Sequence, residues 1–186
     1  MANYCRAVIK SPRGTVINSK FYDLNSFSQS LEFVKSPVFL SINIQSLNSK
    51  FDELKHFITE LNSKKICIDI IAIQEVWEIR SPDLVNLPGF QPLVFKSRIN
   101  MRGGGVGFYV RNGLNFSIME NLSSFETKIF ESITIKLRYP DKPSPLLLTC
   151  AYKSNGQLVN MSANQQNDRF QAIFDELLHN LKGAQA

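Results

Sequence analysis

The first clear pattern along the chain is an apolar run, then a helical stripe, then a second apolar run. Residues 38–44 are mostly apolar and several are β-branched, which predicts a strand. Over residues 48–65, apolar positions recur at the spacing of an amphipathic helix, with Asn48 or Ser49 expected as its N-cap. Residues 66–74 are apolar almost throughout, as expected for a strand covered on both faces. This order predicts a βαβ crossover joining two parallel strands.

Beyond this unit the pattern changes to short strands separated by glycine, proline and asparagine. Strands are predicted within residues 90–97, 104–112, 114–120, 131–139 and 145–153. An apolar stripe over residues 167–183 predicts a final helix, with Gly183 as its C-terminal stop. Residues 1–36 show no sustained period and are interpreted as a loosely ordered extension with one short strand or helix. The remainder, residues 37–186, reads as an α/β sandwich domain.

Composition and charge narrow the function classes. Apolar residues make up 44% of the chain and charged residues 20%, which is typical of a globular protein and excludes global disorder. Lys and Arg number 21 against 16 Asp and Glu, a net charge of +5. This excess favours a polyanionic partner such as nucleic acid, although an ordinary basic surface would give the same balance.

Cysteine usage and hydropathy indicate a reducing compartment away from membranes. Cys5, Cys67 and Cys150 are widely spaced, so neither a disulfide framework nor a structural zinc site is expected. Cys67 and Cys150 lie in apolar runs and are expected to behave as small core residues. No secretion signal is found, and no apolar run is long enough to span a membrane. We therefore expect an intracellular protein without a membrane partner.

Two polar residues lie where the first two predicted strands end. Asn43 follows the first strand and Glu75 follows the second. If the strands are neighbours, an amide oxygen and a carboxylate meet at one end of the sheet, where ligands collect in layered α/β folds. Such oxygen ligands suit Mg²⁺, which takes one or two carboxylates and keeps several waters. Taken singly, Glu75 reads more simply as a solvated strand end, and Asn43 as a turn residue or helix cap.

A run of three glycines, Gly103 to Gly105, permits a tight turn or a close approach of backbone to a ligand. The basic residues around it are Lys96, Arg98, Arg102 and Arg111, a set that would suit phosphate contact. The simpler interpretation is a hairpin turn with solvated arginines. A P-loop is excluded because no Lys-Ser or Lys-Thr pair and no helix follows the glycines. Further along, Tyr152 ends the last predicted strand, where it could present its hydroxyl to a phosphate or simply pack.

The order of these features along the chain, from Asn43 through Glu75 and the three glycines to Tyr152, resembles that of the endonuclease/exonuclease/phosphatase family. The resemblance is strongest to the endonuclease domains of non-LTR retrotransposons. The segments that carry the resemblance are NIQSLNSKFDELK, IDIIAIQEVW, LPGFQPLVFKSRINMRGGGVGFYVR and the strand of Tyr152, and the similarity as a whole runs from about Val38 to Leu181. The sequence departs from the subgroup at Gln45, where an Arg is common, and at Val76, where a Thr is common. The resemblance implies a four-layer α/β sandwich of the DNase I-like type, C-terminally truncated in this chain. It also implies a hydrolase that cleaves phosphodiester bonds in DNA with Mg²⁺ or Mn²⁺, located in the nucleus if it acts on DNA there.

The resemblance assigns roles residue by residue. Asn43 would be an active-site amide near the metal and the phosphate, and Glu75 would be the metal ligand. Tyr152 and Asn155 would contact the scissile phosphate. Trp77 is expected to pack beside the site without a catalytic task.

Two segments of the family pattern, a Gly-Asp-Phe-Asn and a Ser-Asp-His, do not occur in this sequence. An Asp–His pair would activate water, and groups of this kind act as a unit, so we expect weak or no cleavage by this chain. The second sheet is expected to be mostly absent, leaving an apolar face for a protein partner or a C-terminal half to cover. Two alternatives stay open: a non-catalytic nucleic-acid-binding or interaction protein derived from such a domain, and a phosphatase acting on a small phosphoester.

Overall fold

The protein is a mixed α/β structure, as the sequence predicts. The computed structural model describes residues 5–10, 17–22, 37–140, 143–154, 156 and 158–184. Within these residues it contains ten strands and two α-helices. Strands β1 (Cys5–Lys10) and β2 (Ile17–Tyr22) form an antiparallel hairpin inside the N-terminal extension. The other strands form two four-stranded sheets.

The first sheet contains the predicted βαβ unit. Its strands, in spatial order, are β3 (Phe39–Asn43), β4 (Ile70–Gln74), β6 (Val106–Val110) and β5 (Val94–Lys96). Strands β3 and β4 are parallel and are joined by helix α1 (Leu47–Ser63), so the predicted crossover is confirmed. Because β6 is antiparallel to β4, the start of β6 and the end of β4 meet at the same end of the sheet, hereafter the Glu75 end.

The second sheet is built around one long hairpin. Its strands are β7 (Asn115–Ile118), β8 (Phe125–Glu126), β9 (Phe130–Arg138) and β10 (Leu146–Lys153), with β9 paired to the other three. In the antiparallel pairing of β9 with β10, Glu131 lies opposite Tyr152. These two side chains therefore share one face of the sheet, because directly paired residues point the same way.

The two sheets pack face to face, and a helix covers the outer side of each. The buried cluster between the sheets contains Ile70, Val106, Phe108, Val110, Ile133, Ile135, Leu137 and Cys150. Helix α1 packs on the opposite face of the first sheet, where Leu54 and Ile58 join a cluster with Ile71. Helix α2 (Ala163–Gly183) packs Ile173 against Phe130 on the outer face of the second sheet. Within the described residues, neither helix is long and apolar enough to cross a membrane.

The covered face of the first sheet corrects one prediction. The second sheet, expected to be mostly absent, is present and buries the inner side of β4 and β6. The expected uncovered sheet face is therefore wrong for these strands, although Phe39 on the outer strand β3 stays 46% exposed. Cys150 is buried as predicted, but Cys67 is exposed, because it lies between the buried Ile66 and Ile68 in the segment ahead of β4 and faces the other way.

The helix ends differ from the predicted ones. Helix α1 follows Ser46, which makes no side-chain capping bond, so neither Asn48 nor Ser49 is its N-cap. Helix α2 begins at Ala163 because Ser162 and Gln165 form a capping box ahead of the predicted start. Gly183 is the last residue of α2 rather than a stop beyond it.

Candidate active site

Asn43 and Glu75 meet at the Glu75 end of the first sheet. Asn43 Nδ2 donates a hydrogen bond to Glu75 Oε1 at 2.8 Å. The contact follows from the parallel register, in which Asn43 lies opposite Gln74, the residue before Glu75. The predicted convergence of amide and carboxylate is therefore confirmed, while the role of Glu75 as a metal ligand stays a prediction.

Two more donors surround the same carboxylate. Trp77 Nε1 lies 3.4 Å from Glu75 Oε2, and the Tyr152 hydroxyl reaches Glu75 from the facing sheet. Burial, the charge of Glu75 and its hydrogen bond all raise the pKa of Tyr152. The raised pKa favours the protonated phenol beside the Glu75 carboxylate. Both sheets contribute to the site, and Trp77 packs beside it as expected.

The backbone that presents Glu75 is strained. Glu75 and Trp77 have φ of 55° and 59°, a left-handed conformation that is uncommon for residues other than glycine. Such outliers persist only where surrounding contacts impose them, and they concentrate at functional sites. Here the 75–77 turn is held from the α1 side, where the N–H groups of Ser46 and Leu47 donate to the carbonyls of Glu75 and Val76 at 2.9 and 3.1 Å.

The glycine loop, residues 103–105, holds the turn from the other side. The carbonyls of Gly104 and Gly105 accept the N–H groups of Trp77 and Val76 at 2.9 and 3.3 Å. All three glycines have positive φ, and a Cβ on Gly105 would lie 2.6 Å from Val76 Cγ2. A Cβ on Gly104 would overlap the Arg98 guanidinium. The glycines thus allow close contact with the protein's own turn and with a buried arginine.

The four basic residues predicted for phosphate contact do not form one patch. Lys96 is ion-paired with Glu120 at 2.6 Å, and Arg102 is exposed with its guanidinium carbon 4.9 Å from the centre of the Trp77 ring. The Arg98 side chain is only 5% exposed. Arg111 lies at the opposite end of the sheet. Of the four, Arg102 is the exposed cation in direct contact with the surroundings of Glu75.

The contacts of Arg111 all lie at the far end of the sheet from Glu75. Its guanidinium donates to the carbonyl of Ile68 and lies 3.6 Å from Asp69 Oδ1. It also lies over the ring of Phe90 at 5.5 Å. These contacts hold the start of β4, so the geometry gives Arg111 a structural task away from Glu75.

Sequence reasoning missed Glu131, which is fully buried behind the glycine loop. Its Oε1 accepts from Arg98 Nε and its Oε2 from the Gly105 N–H, each at 2.5 Å. A signal for it was present in the sequence. Glu131 is in phase with Ile133, Ile135 and Leu137, the inward-facing positions of β9, so the alternation predicts an inward-facing carboxylate.

Other predicted residues contribute less to this geometry. Asn155 lies outside the described residues. Lys153, beside Tyr152, donates to Asn167 Oδ1 at 2.9 Å and packs over Phe170 rather than toward Glu75. His56 and His179 are exposed on α1 and α2.

The donor set fits a weakly held Mg²⁺ or Mn²⁺ rather than a preformed metal cage. In the part of the chain that the structure describes, no cluster of three or more His, Cys, Asp and Glu residues could hold a metal. Mg²⁺ is nonetheless commonly bound by one or two carboxylates, with waters and substrate phosphate completing its shell. Glu75 can supply that carboxylate. Asn43 presents its amide nitrogen to Glu75, so its oxygen would join only after the amide turns.

Comparison with known proteins adds no relative: no family model matches the chain, and no curated protein matches it.

Proposed function

We propose that the chain is a Mg²⁺- or Mn²⁺-dependent DNA endonuclease domain of the DNase I-like endonuclease/exonuclease/phosphatase type, similar to those of non-LTR retrotransposons. The observation that carries the proposal is the 2.8 Å contact between Asn43 and Glu75 at the ends of two parallel strands. The Tyr152 hydroxyl, delivered to the same carboxylate by the second sheet, supports it. Two sheets packed face to face under outer helices support the implied four-layer fold.

In this proposal each side chain acts on a phosphate that approaches the Glu75 end of the sheet. Glu75 holds the cation, which would neutralise charge on the phosphate when bound. Tyr152 keeps its proton and donates to whichever acceptor lies beside it, Glu75 at rest and a phosphate oxygen in the complex. Asn43 orients the carboxylate through its amide nitrogen. Arg102, exposed beside Trp77, is the candidate contact for an adjacent phosphate.

Cleavage by this chain should be weak or absent. Hydrolysis of a phosphodiester needs an activated water as well as charge neutralisation. The sequence lacks the Asp and His segments that would activate water in the family, and its two histidines are exposed on the helices. Because catalytic groups act as a unit, a partial set gives much less than a proportional share of the rate.

The second candidate is a non-catalytic nucleic-acid-binding or interaction protein derived from such a domain. It is favoured by the absence, among the described residues, of a cluster of three or more metal-ligating side chains, and by the exposed Arg102 beside Trp77. Phe39, exposed on the outer strand β3, is where a protein partner could add contacts. DNA binding that depends on salt but neither on metal nor on Glu75 would support this alternative.

A plasmid-nicking assay with Mg²⁺ tests the first proposal. We expect little nicking by this chain and Glu75-dependent nicking by a version extended to carry a Gly-Asp-Phe-Asn and a Ser-Asp-His segment. The matched variant is Glu75→Ala in both lengths. Robust nicking by this chain that disappears in Glu75→Ala would refute its inactivity while supporting the site. Failure of the extended version would count against the endonuclease itself.

A further inference from the structure

We infer that Arg98 and Glu131 are positioning residues for Glu75, acting through the glycine loop. Their buried ion pair fixes the loop, and the loop fixes the backbone turn from which the Glu75 side chain projects. The inference rests on the proposed function, because it concerns the carboxylate assigned to the cation. Glu131 bonds to Arg98 and to the Gly105 N–H rather than to Glu75, so the pair acts on Glu75 through the backbone, while its charges also act on the pKa of Tyr152.

The first link is the ion pair itself. The side chains of Arg98 and Glu131 are 5% and 0% exposed, so water does not screen the charges. Both oxygens of Glu131 are used, one by Arg98 and the other by the N–H of Gly105. Arg98 Nη2 is buried and makes no hydrogen bond within the described part of the chain. Glu131 is therefore the group that both neutralises the guanidinium and ties it to the loop.

The second link is Gly105, which bonds to the ion pair through its N–H and to the 75–77 turn through its carbonyl. Its N–H is held by Glu131, and its carbonyl accepts the N–H of Val76. Gly104, packed directly against the Arg98 guanidinium, accepts the N–H of Trp77. The ion pair thus holds the loop through the N–H of Gly105 while the loop carbonyls hold the 75–77 turn, and it limits how far the loop can withdraw.

The third link is the strained turn. Glu75 and Trp77 adopt left-handed φ values, which residues other than glycine keep only where surrounding contacts impose them. With the loop free to move, this turn would relax and carry the Glu75 carboxylate away from Asn43 and Tyr152. Glu131 and Tyr152 are direct neighbours across the β9–β10 pairing, so one end of the second sheet sets both the loop and the phenol.

A purely structural role is the competing explanation for the pair. Buried ion pairs often add little net stability compared with apolar residues of similar size, so stability alone is a weak reason for one. A pair that acts only on stability would leave the metal-free geometry of Trp77 and the cation affinity of the folded protein unchanged. A positioning pair changes both, and these two readouts separate the explanations.

The test uses Glu131→Gln, which keeps the shape of the side chain and removes its charge. Trp77 is the chain's single tryptophan and contacts Glu75, so its fluorescence reports on the turn. We expect faster local motion of Trp77 in anisotropy decay and greater quenching by acrylamide, both without metal. We also expect about tenfold weaker Mn²⁺ binding, followed by Trp77 quenching, as is typical when outer-shell partners of a metal ligand are lost. Circular dichroism confirms that the protein measured is folded.

Glu126→Gln is the matched control. It removes a carboxylate from the neighbouring strand β8, where Glu126 pairs with Arg169 of α2 at 2.8 Å and makes no contact with the glycine loop among those described. We expect neither readout to change in this variant. If Glu131→Gln does not fold, Arg98→Lys keeps the positive charge but loses the planar guanidinium, and it should change both readouts in the same direction.

The outcomes separate the inference from the proposed function. A folded Glu131→Gln protein with unchanged Trp77 motion and unchanged Mn²⁺ affinity overturns the inference and leaves the proposed function intact. If the unaltered chain shows no Mn²⁺ effect that depends on Glu75, the cation assignment fails. The metal-free Trp77 comparison still decides in that case whether the ion pair holds the turn.

Discussion

Asn43 Nδ2 lies 2.8 Å from Glu75 Oε1, although 32 residues separate the two in sequence. The intervening residues include one helix and the whole of the next strand, so the contact depends on the crossover placing two parallel strands side by side. It also depends on the turn after β4, which projects Glu75 toward Asn43 instead of letting the strand continue. The site is therefore a product of sheet register and of a constrained turn.

The constraint on that turn predicts unequal costs for two adjacent glycine substitutions. Gly103 and Gly104 both have positive φ, so alanine at either should destabilise the protein by about 1 kcal/mol through backbone strain. Only at Gly104 does the added Cβ overlap the buried Arg98 guanidinium. We expect Gly104→Ala to lose about 1–3 kcal/mol more than Gly103→Ala, measured as the free energy of unfolding in urea.

The comparison is controlled by a glycine in open space. Gly113 also has positive φ but would place a Cβ with nothing within 4 Å, so Gly113→Ala should show the strain alone. Equal losses at all three glycines would mean that the loop does not pack tightly on Arg98.

Local patterns predicted most of the architecture because its elements are encoded by short-range periodicity. The βαβ unit, the strand containing Ile133 and the final helix all follow from apolar spacing. Strand β8, the pair Phe125–Glu126, is too short to show any period and was missed. The start of α1 was misplaced because Ser46 precedes it with an unusual φ of 83° and no capping bond, which no cap rule anticipates.

The site was predicted only in part, for a different physical reason. Asn43 and Glu75 are visible because both end strong strand patterns. The pairing of Arg98 with Glu131 is not visible in the sequence, because the two residues are 33 positions apart. Arg98 lies in the loop after strand β5, whereas Glu131 lies in strand β9 of the other sheet. The sequence around Arg98 looks like a solvated basic turn, and only the alternation in β9 hints that Glu131 points inward. Long-range charge pairing is set by tertiary packing and has no local signature.

Burial of Cys150 between the sheets predicts a loss of stability at alkaline pH. Burial raises the pKa of this thiol from 9.0 to about 12, although hydrogen bonds with Gly107, Gln74 and Ile73 lower it in part. Between these values the unfolded chain releases a proton that the folded chain keeps, so stability is intact below pH 9 and falls as pH rises. The loss from this one group should be about 1.4 kcal/mol at pH 10.

Urea unfolding at pH 8 and pH 10 measures this effect. Cys150→Ala should remove most of the difference between the two pH values, leaving the smaller contributions of Tyr109 and Tyr152, whose pKa values are also raised by burial. Cys67→Ala, which deletes an exposed thiol, should keep the full difference. A pH dependence that keeps its full size in Cys150→Ala would show that the thiol is not buried as described.

The separation of the basic residues predicts how DNA binding depends on salt. Arg102 is exposed beside Trp77, whereas Arg111 is engaged with Asp69 and Ile68 at the opposite end of the sheet. Loss of one phosphate contact lowers the slope of log affinity against log salt by about 0.9. We expect that decrease for Arg102→Gln and no decrease for Arg111→Gln, by fluorescence anisotropy with a labelled duplex.

The two variants remove the same charge, so a general electrostatic effect would lower both slopes equally. Equal slopes of log affinity against log salt for Arg102→Gln and Arg111→Gln would argue that DNA binds without preference for the Glu75 end of the sheet. A decrease for Arg111→Gln alone would move the DNA-binding surface to the opposite end.

The central claim is that Glu75 binds a divalent cation, and isothermal titration with Mn²⁺ tests it most directly. The comparison is between the unaltered chain, Glu75→Gln and Glu78→Gln, since Glu78 is a nearby carboxylate paired with Arg80 at 3.5 Å. The account predicts one Mn²⁺ site that is lost in Glu75→Gln and retained in Glu78→Gln. Equal binding by all three proteins, or no binding by the unaltered chain, would contradict it.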